Sequence, residues 1–104
     1  MENCIFCKLS STAFVQNDLC YAIWDKFPKT EGHALIITKR HTENYLEATS
    51  DEHTAISELV KEVIAWIGDE YGAKDFNITS NMGKLAGQEI FHFHTHVIPR
   101  YKES

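Results

Sequence analysis

Basic residues are in short supply in this chain. Ten lysines and arginines stand against fifteen aspartates and glutamates in 104 residues, a formal net charge of −5. A nucleic-acid backbone needs a cationic surface, so this balance excludes it as the main partner. A small anion held by a few local groups is still allowed. Cysteines number three, a small and odd count, which excludes a secreted disulfide framework and points to a reducing cytoplasm. No apolar run approaches a membrane span, and the first residues carry no signal-peptide pattern. Internal repeats and low-complexity tracts are absent. With 43% hydrophobic and 24% charged residues, the composition is ordinary for a globular protein. The length suits one domain, residues 1–104, with a modest core.

The periodicities place the elements. Residues 4–9, CIFCKL, are compact enough for a single helical turn. Residues 14–16 and 21–24 read as short strands of a hairpin around Asn17-Asp18. Residues 34–38 form a continuous apolar run between Gly32 and Lys39-Arg40, the pattern of a central strand. Residues 43–48 suit a short helix. Thr49 followed by Glu52 is a capping box. It opens a main helix whose Ile56, Leu59, Val60, Val63, Ile67 and Tyr71 recur at helical spacing and whose natural stop is Gly72. Residues 76–79 alternate as a strand, and residues 81–87 form a loop with two glycines. The sum is an α+β fold, a mainly antiparallel five-stranded sheet with one main helix and a short helix.

The remaining stretch, residues 87–100, reads GQEIFHFHTHVIPR and holds half of the six histidines. His92, His94 and His96 alternate with Phe93, Thr95 and Val97. On a strand this puts the imidazoles on one face and a mostly apolar set on the other. A merely His-rich surface strand would lack that partner face. A metal site is one reading, but His92 and His96 lie roughly 13 Å apart along a strand, too far for one ion to take all three. A nucleophilic imidazole flanked by two others is the second. Cys4 and Cys7 form a CxxC pair open to three readings: a redox motif, half of a zinc site, or two buried thiols. Cys20 suits a small buried hydrophobe.

His92-Phe93-His94-Thr95-His96-Val97-Ile98 resembles the signature of the histidine triad (HIT) family, with Thr95 where the family usually has an apolar residue. Gly87-Gln88, Pro99-Arg100, the run from Gly32 to Ile37 and Lys39-Arg40-His41 extend the likeness over nearly the whole chain. The resemblance implies the α+β HIT fold and a nucleotide hydrolase or nucleotidyltransferase. Such an enzyme attacks the α-phosphate of a nucleoside 5′-phosphate derivative, either a dinucleoside polyphosphate or a nucleoside phosphoramidate. It makes His94 the nucleophile, with His33 and His96 beside the phosphate and Gln88 on a phosphate or leaving-group oxygen. Asp25 would grip the ribose hydroxyls, Asn81 would bond the phosphate or ribose, and Phe6 and Ile23 would line the purine pocket. Glu89 stands where relatives have Ser or Thr and would favour a leaving group carrying an amine. The resemblance further implies a structural zinc on Cys4, Cys7, His41 and His92, no organic cofactor, and a homodimer. Two other functions compete: a nucleotide-binding module with negligible turnover, and a zinc-stabilised interaction domain.

Overall fold

The computed structural model describes residues 4–102. Two 3-10 turns, Ile5–Cys7 and Ser10–Thr12, lead into β1 (Val15–Gln16) and β2 (Cys20–Trp24). The hairpin between them is built by Asn17, whose Oδ1 accepts from the Leu19 and Cys20 N–H groups at 3.1 and 2.9 Å, an Asx turn. Then come β3 (Ala34–Thr38), α1 (Ser50–Tyr71), β4 (Asp75–Thr79), a 3-10 turn at Lys84–Ala86, and β5 (His94–Arg100). The sheet order is β1-β2-β3-β5-β4, and every neighbouring pair is antiparallel. No helix among the described residues is long and apolar enough to cross a membrane.

The two faces of the sheet do different jobs, and strand alternation assigns the residues to them. Cys20, Ala22, Ala34, Ile36 and Val97 pack against Ile56, Leu59, Val60, Val63 and Ile67 of α1. The opposite face carries Tyr21, Ile23, Leu35 and Ile37, covered in part by Phe6 and Leu9. The histidines share this second face, away from the helix. The expected capping box is present: Thr49 accepts from the Glu52 N–H while the Glu52 carboxylate accepts from the Thr49 N–H. Glu52 is buried because it also takes two hydrogen bonds from Arg40, at 2.8 and 3.0 Å. Gly72 ends α1 in the left-handed region at φ 73°, a conformation that favours glycine.

Two expectations change. Residues 43–48 form turns rather than a short helix, because the Asn44 carboxamide accepts from the Glu47 N–H at 3.1 Å and competes with helical bonding. The histidine strand also starts later than the alternation implies. His92 and Phe93 precede β5, and the Phe93 N–H bonds outside the sheet, to the Thr42 carbonyl at 2.6 Å.

Candidate active site and metal centre

β5 is a central strand, between β3 and β4, and it places His94 beside Ile37 and His96 between Leu35 and Thr79. A cleft of about 880 Å³ opens over this face, a size suited to a small-molecule ligand. Phe6, Leu9, Ile23 and Leu35 supply an apolar wall, and His33, His94 and His96 a polar floor. Asp25, Asn81 and Glu89 line the same cleft. So do Lys26, Lys29, Asn77 and Arg100. Of these last four, the sequence flags only Arg100; the others come to the cleft through loop closure and strand pairing.

The hydrogen bonds assign a tautomer to each ring. His94 Nδ1 lies 2.7 Å from the His92 carbonyl. A carbonyl only accepts, so Nδ1 carries the hydrogen and Nε2 keeps its lone pair. The Lys29 N–H donates to His33 Nδ1 at 3.1 Å, so neutral His33 carries its hydrogen on Nε2. That atom lies 2.9 Å from His96 Nδ1, which therefore accepts, leaving His96 with its hydrogen on Nε2. Asp25 Oδ2 stands 3.3 Å from His33 Nε2 and 3.9 Å from His96 Nδ1. Its Oδ1 accepts from the Phe27 N–H at 2.9 Å.

Local chain geometry makes this arrangement possible. Gly32 has φ +89°, and a Cβ there would come within 3.0 Å of the Tyr71 ring. Glycine thus lets the chain turn against α1 and enter β3 with His33 inward. The loop is closed by the Asp25 N–H on the His33 carbonyl at 2.9 Å.

Burial keeps the three imidazoles uncharged. Desolvation is the main cause lowering His33 and His94, opposed in part by Asp25 and, for His94, by the His92 carbonyl. For His96, burial and the neighbouring His94 and His33 bring the pKa down to about 4, against the pull of Asp25. An unfolded histidine takes its proton near 6.5. The stability from keeping His96 neutral is therefore full above about pH 6.5 and is lost as the pH falls towards 4. Urea unfolding should show a loss of about 1–2 kcal/mol between pH 7 and pH 5 from His96, partial exposure allowed for. His96→Gln should flatten that decline.

Gln88 departs from its expected place. It is buried, and its carboxamide is occupied by backbone. Oε1 accepts from the Gly83 N–H at 2.8 Å, while Nε2 donates to the Glu43 and Ile90 carbonyls at 2.7 and 3.1 Å. With its donors and acceptor engaged on backbone, it braces the loop before the histidines and is not brought to the cleft. Asn81 and Glu89, on that loop, are exposed and line the cleft.

The second cluster lies around His92. Cys4 Sγ and Cys7 Sγ are 3.1 and 3.4 Å from His92 Nδ1, and Cys7 Sγ is 3.2 Å from His41 Nδ1. The four donor atoms all lie within 4.8 Å of one another. His92 Nε2 donates to the Thr38 carbonyl at 2.7 Å, which turns the lone pair of Nδ1 towards the thiols. Two thiols and two imidazoles at these separations fit tetrahedral zinc, and the Thr38 bond is the usual support for a ligating histidine. Asp25, His33 and His96 are comparably close. There, however, the Lys29 bond keeps a hydrogen on His33 Nε2, so that trio forms a hydrogen-bonded chain rather than a ligand set.

The fold and the histidine row define a class of protein. The structure matches that of a HIT family protein from Bacillus anthracis with a TM-score of 0.90 and 34% identity, covering 98% of this chain and 76% of that one. The HIT domain family model matches residues 8–103, and the chain belongs to the HIT family. It is 37% identical over 105 residues to Protein hit of Bacillus subtilis, covering 96% of this chain and 72% of the relative. Two relatives carry names of hydrolases. One is adenosine 5′-monophosphoramidase hnt1 of Schizosaccharomyces pombe, 34% identical over 106 residues (97% of this chain, 77% of the relative). The other is adenylylsulfatase HINT3 of Arabidopsis thaliana, 35% identical over 104 residues (95% and 53%). A Zn-bound histidine triad family protein from Mycobacterium smegmatis is similar at a TM-score of 0.88 and 28% identity, covering 95% of this chain and 76% of that one.

Proposed function

We propose that this protein is a nucleotide hydrolase or nucleotidyltransferase that works through a nucleotidyl-histidine on His94. The observation that carries the reading is the bond from His94 Nδ1 to the His92 carbonyl, which leaves Nε2 unprotonated on a ring lining the cleft. A neutral imidazole attacks phosphorus without the repulsion an anion meets. An N–P bond forms at His94 Nε2, and the bond from the α-phosphorus to the leaving group breaks. His96 Nε2–H donates a hydrogen bond to the departing atom, which takes its proton from water; His33 holds His96 in that tautomer. Water then attacks phosphorus, the N–P bond breaks to restore neutral His94, and the water proton passes to solvent as the nucleoside monophosphate forms.

Charge on the phosphoryl oxygens is met by cationic groups of the cleft, Lys29 and Arg100 among them. Phe6 and Ile23 flank the purine, Asp25 accepts from the ribose hydroxyls, and Asn81 donates to the phosphate or ribose. Glu89 has no ion-pair partner among the described residues and favours a leaving group carrying an amine. Cys4, Cys7, His41 and His92 would hold zinc, which supplies a structural cross-link and takes no part in the reaction. The protein works as a homodimer in the cytoplasm; half-exposed Ile78 on the edge strand β4 and partly exposed Trp66 on α1 suit a covered surface.

Incubation with diadenosine tetraphosphate and with an adenosine phosphoramidate, following AMP release, tests the activity. Release from either supports it, and release favouring the amine-bearing compound supports the role of Glu89. AMP binding with no release from any member of the panel would replace the enzyme by a binding module.

A further inference from the structure

The turn that carries the two thiols also carries a wall of the nucleotide cleft. Phe6 sits between Cys4 and Cys7 in the Ile5–Cys7 turn and is 4% exposed. Its ring meets His94 edge-on, with centroids 5.0 Å apart, and His92 at 6.1 Å. Ile5 and Leu9, on either side, line the same cleft.

This wall has few polar ties to the sheet. Residues 4–8 lie ahead of β1 and outside the sheet. Among the described residues, one hydrogen bond joins them to the sheet apart from the thiol contacts, from the Tyr21 hydroxyl to the Phe6 carbonyl. The other polar ties are Cys4 and Cys7 against His41 and His92, beside the packing of the Phe6 ring on Tyr21, Ile23, Leu35 and Ile37. A thiol is a weak donor and a weak acceptor, whereas four bonds to one zinc ion would lock the turn in place. The far end of this clamp is equally placed for control. The His92 ring is anchored on Thr38 in β3, and its carbonyl orients His94.

We propose that the Cys4–Cys7 turn is a metal-pinned wall of the nucleotide cleft, so that zinc on Cys4, Cys7, His41 and His92 sets the affinity for the purine base. This rests on the nucleotide reading given above. Cys4 and Cys7 are then positioning residues acting through Phe6. The metal governs whether the base finds a formed pocket, while α1 and the sheet face packed on it, whose core does not include these residues, stay folded without it.

Calorimetric titration with AMP, alongside zinc analysis and far-ultraviolet circular dichroism, tests this. Zinc-loaded wild type should hold about one zinc per chain and bind AMP. Chelator-stripped protein should keep its helical signal but bind AMP at least tenfold more weakly, and one equivalent of zinc should restore affinity. Cys4→Ser with Cys7→Ser should match the stripped protein and not respond to zinc. Phe6→Ala should keep its zinc yet lose AMP affinity to a similar degree, which separates the wall from the clamp. Equal AMP affinity with and without zinc would overturn the proposal alone. So would failure to take up zinc, loss of the helical signal on stripping, or wild-type affinity in zinc-loaded Phe6→Ala. A zinc-loaded wild type that does not bind AMP would overturn the nucleotide reading as well.

Discussion

His94→Ala should lower turnover of an adenosine phosphoramidate by about 10⁴-fold or more while leaving AMP affinity within tenfold of wild type. The asymmetry follows from the site. His94 is 8% exposed, with its ring against Phe6 and His96 and its Nδ1 on the His92 carbonyl, so its loss removes the attacking nitrogen but leaves Phe6, Ile23, His33 and Arg100 in the cleft. Nothing else in the row is positioned to take over. His92 has Nε2 on the Thr38 carbonyl and Nδ1 facing the thiols, and His96 Nδ1 faces His33. Quenching in alkaline denaturant during turnover, followed by mass measurement of the intact chain without acid, should reveal an added nucleotide on wild type and none on the variant. A variant that retained wild-type turnover would exclude His94 as the nucleophile. One that lost AMP binding entirely would point instead to a collapsed cleft.

Gln88→Ala should act chiefly on stability. Truncation leaves the Gly83 N–H and the Glu43 and Ile90 carbonyls without their partner in a part-buried setting. Unsatisfied buried groups cost about 1–3 kcal/mol each, and relaxation of a loop recovers part of that, for a net loss of roughly 3 kcal/mol. In a domain of this size the thermal midpoint should fall by about 12 °C or more. Below that midpoint, kcat should change less than the stability suggests, because the carboxamide does not line the cleft. A residue that bonded the phosphate directly would show the opposite pattern: an unchanged midpoint and a collapsed kcat/KM. Calorimetric melting and steady-state kinetics on the same preparation separate the two.

The contrast between His94 and Gln88 marks where sequence reading ends. Period-2 alternation from Phe93 to Val97, the apolar run of β3 and the Thr49–Glu52 capping box are local patterns. They depend on neighbours a few residues away, so the sequence alone determined one long helix, the sheet strands and a histidine-bearing face opposite an apolar one. The family signature carried the HIT likeness and marked the residues worth watching. The partner of a buried polar group is another matter, since it depends on chain separated by tens of residues. Only tertiary packing put Glu43 against Gln88 and His96 against His33, while the irregular loop between Asp25 and His33, which no period describes, brought the Lys29 N–H and Asp25 onto the same ring. These contacts choose the tautomers and decide which groups face the cleft. The same holds for the thiols. A CxxC pair carries three meanings until the fold brings His41 and His92 to it, because the ligand geometry belongs to four residues spread over nearly ninety positions. Residue types and periods are written locally, whereas the protonation state and direction of a side chain are set by whatever the fold packs beside it.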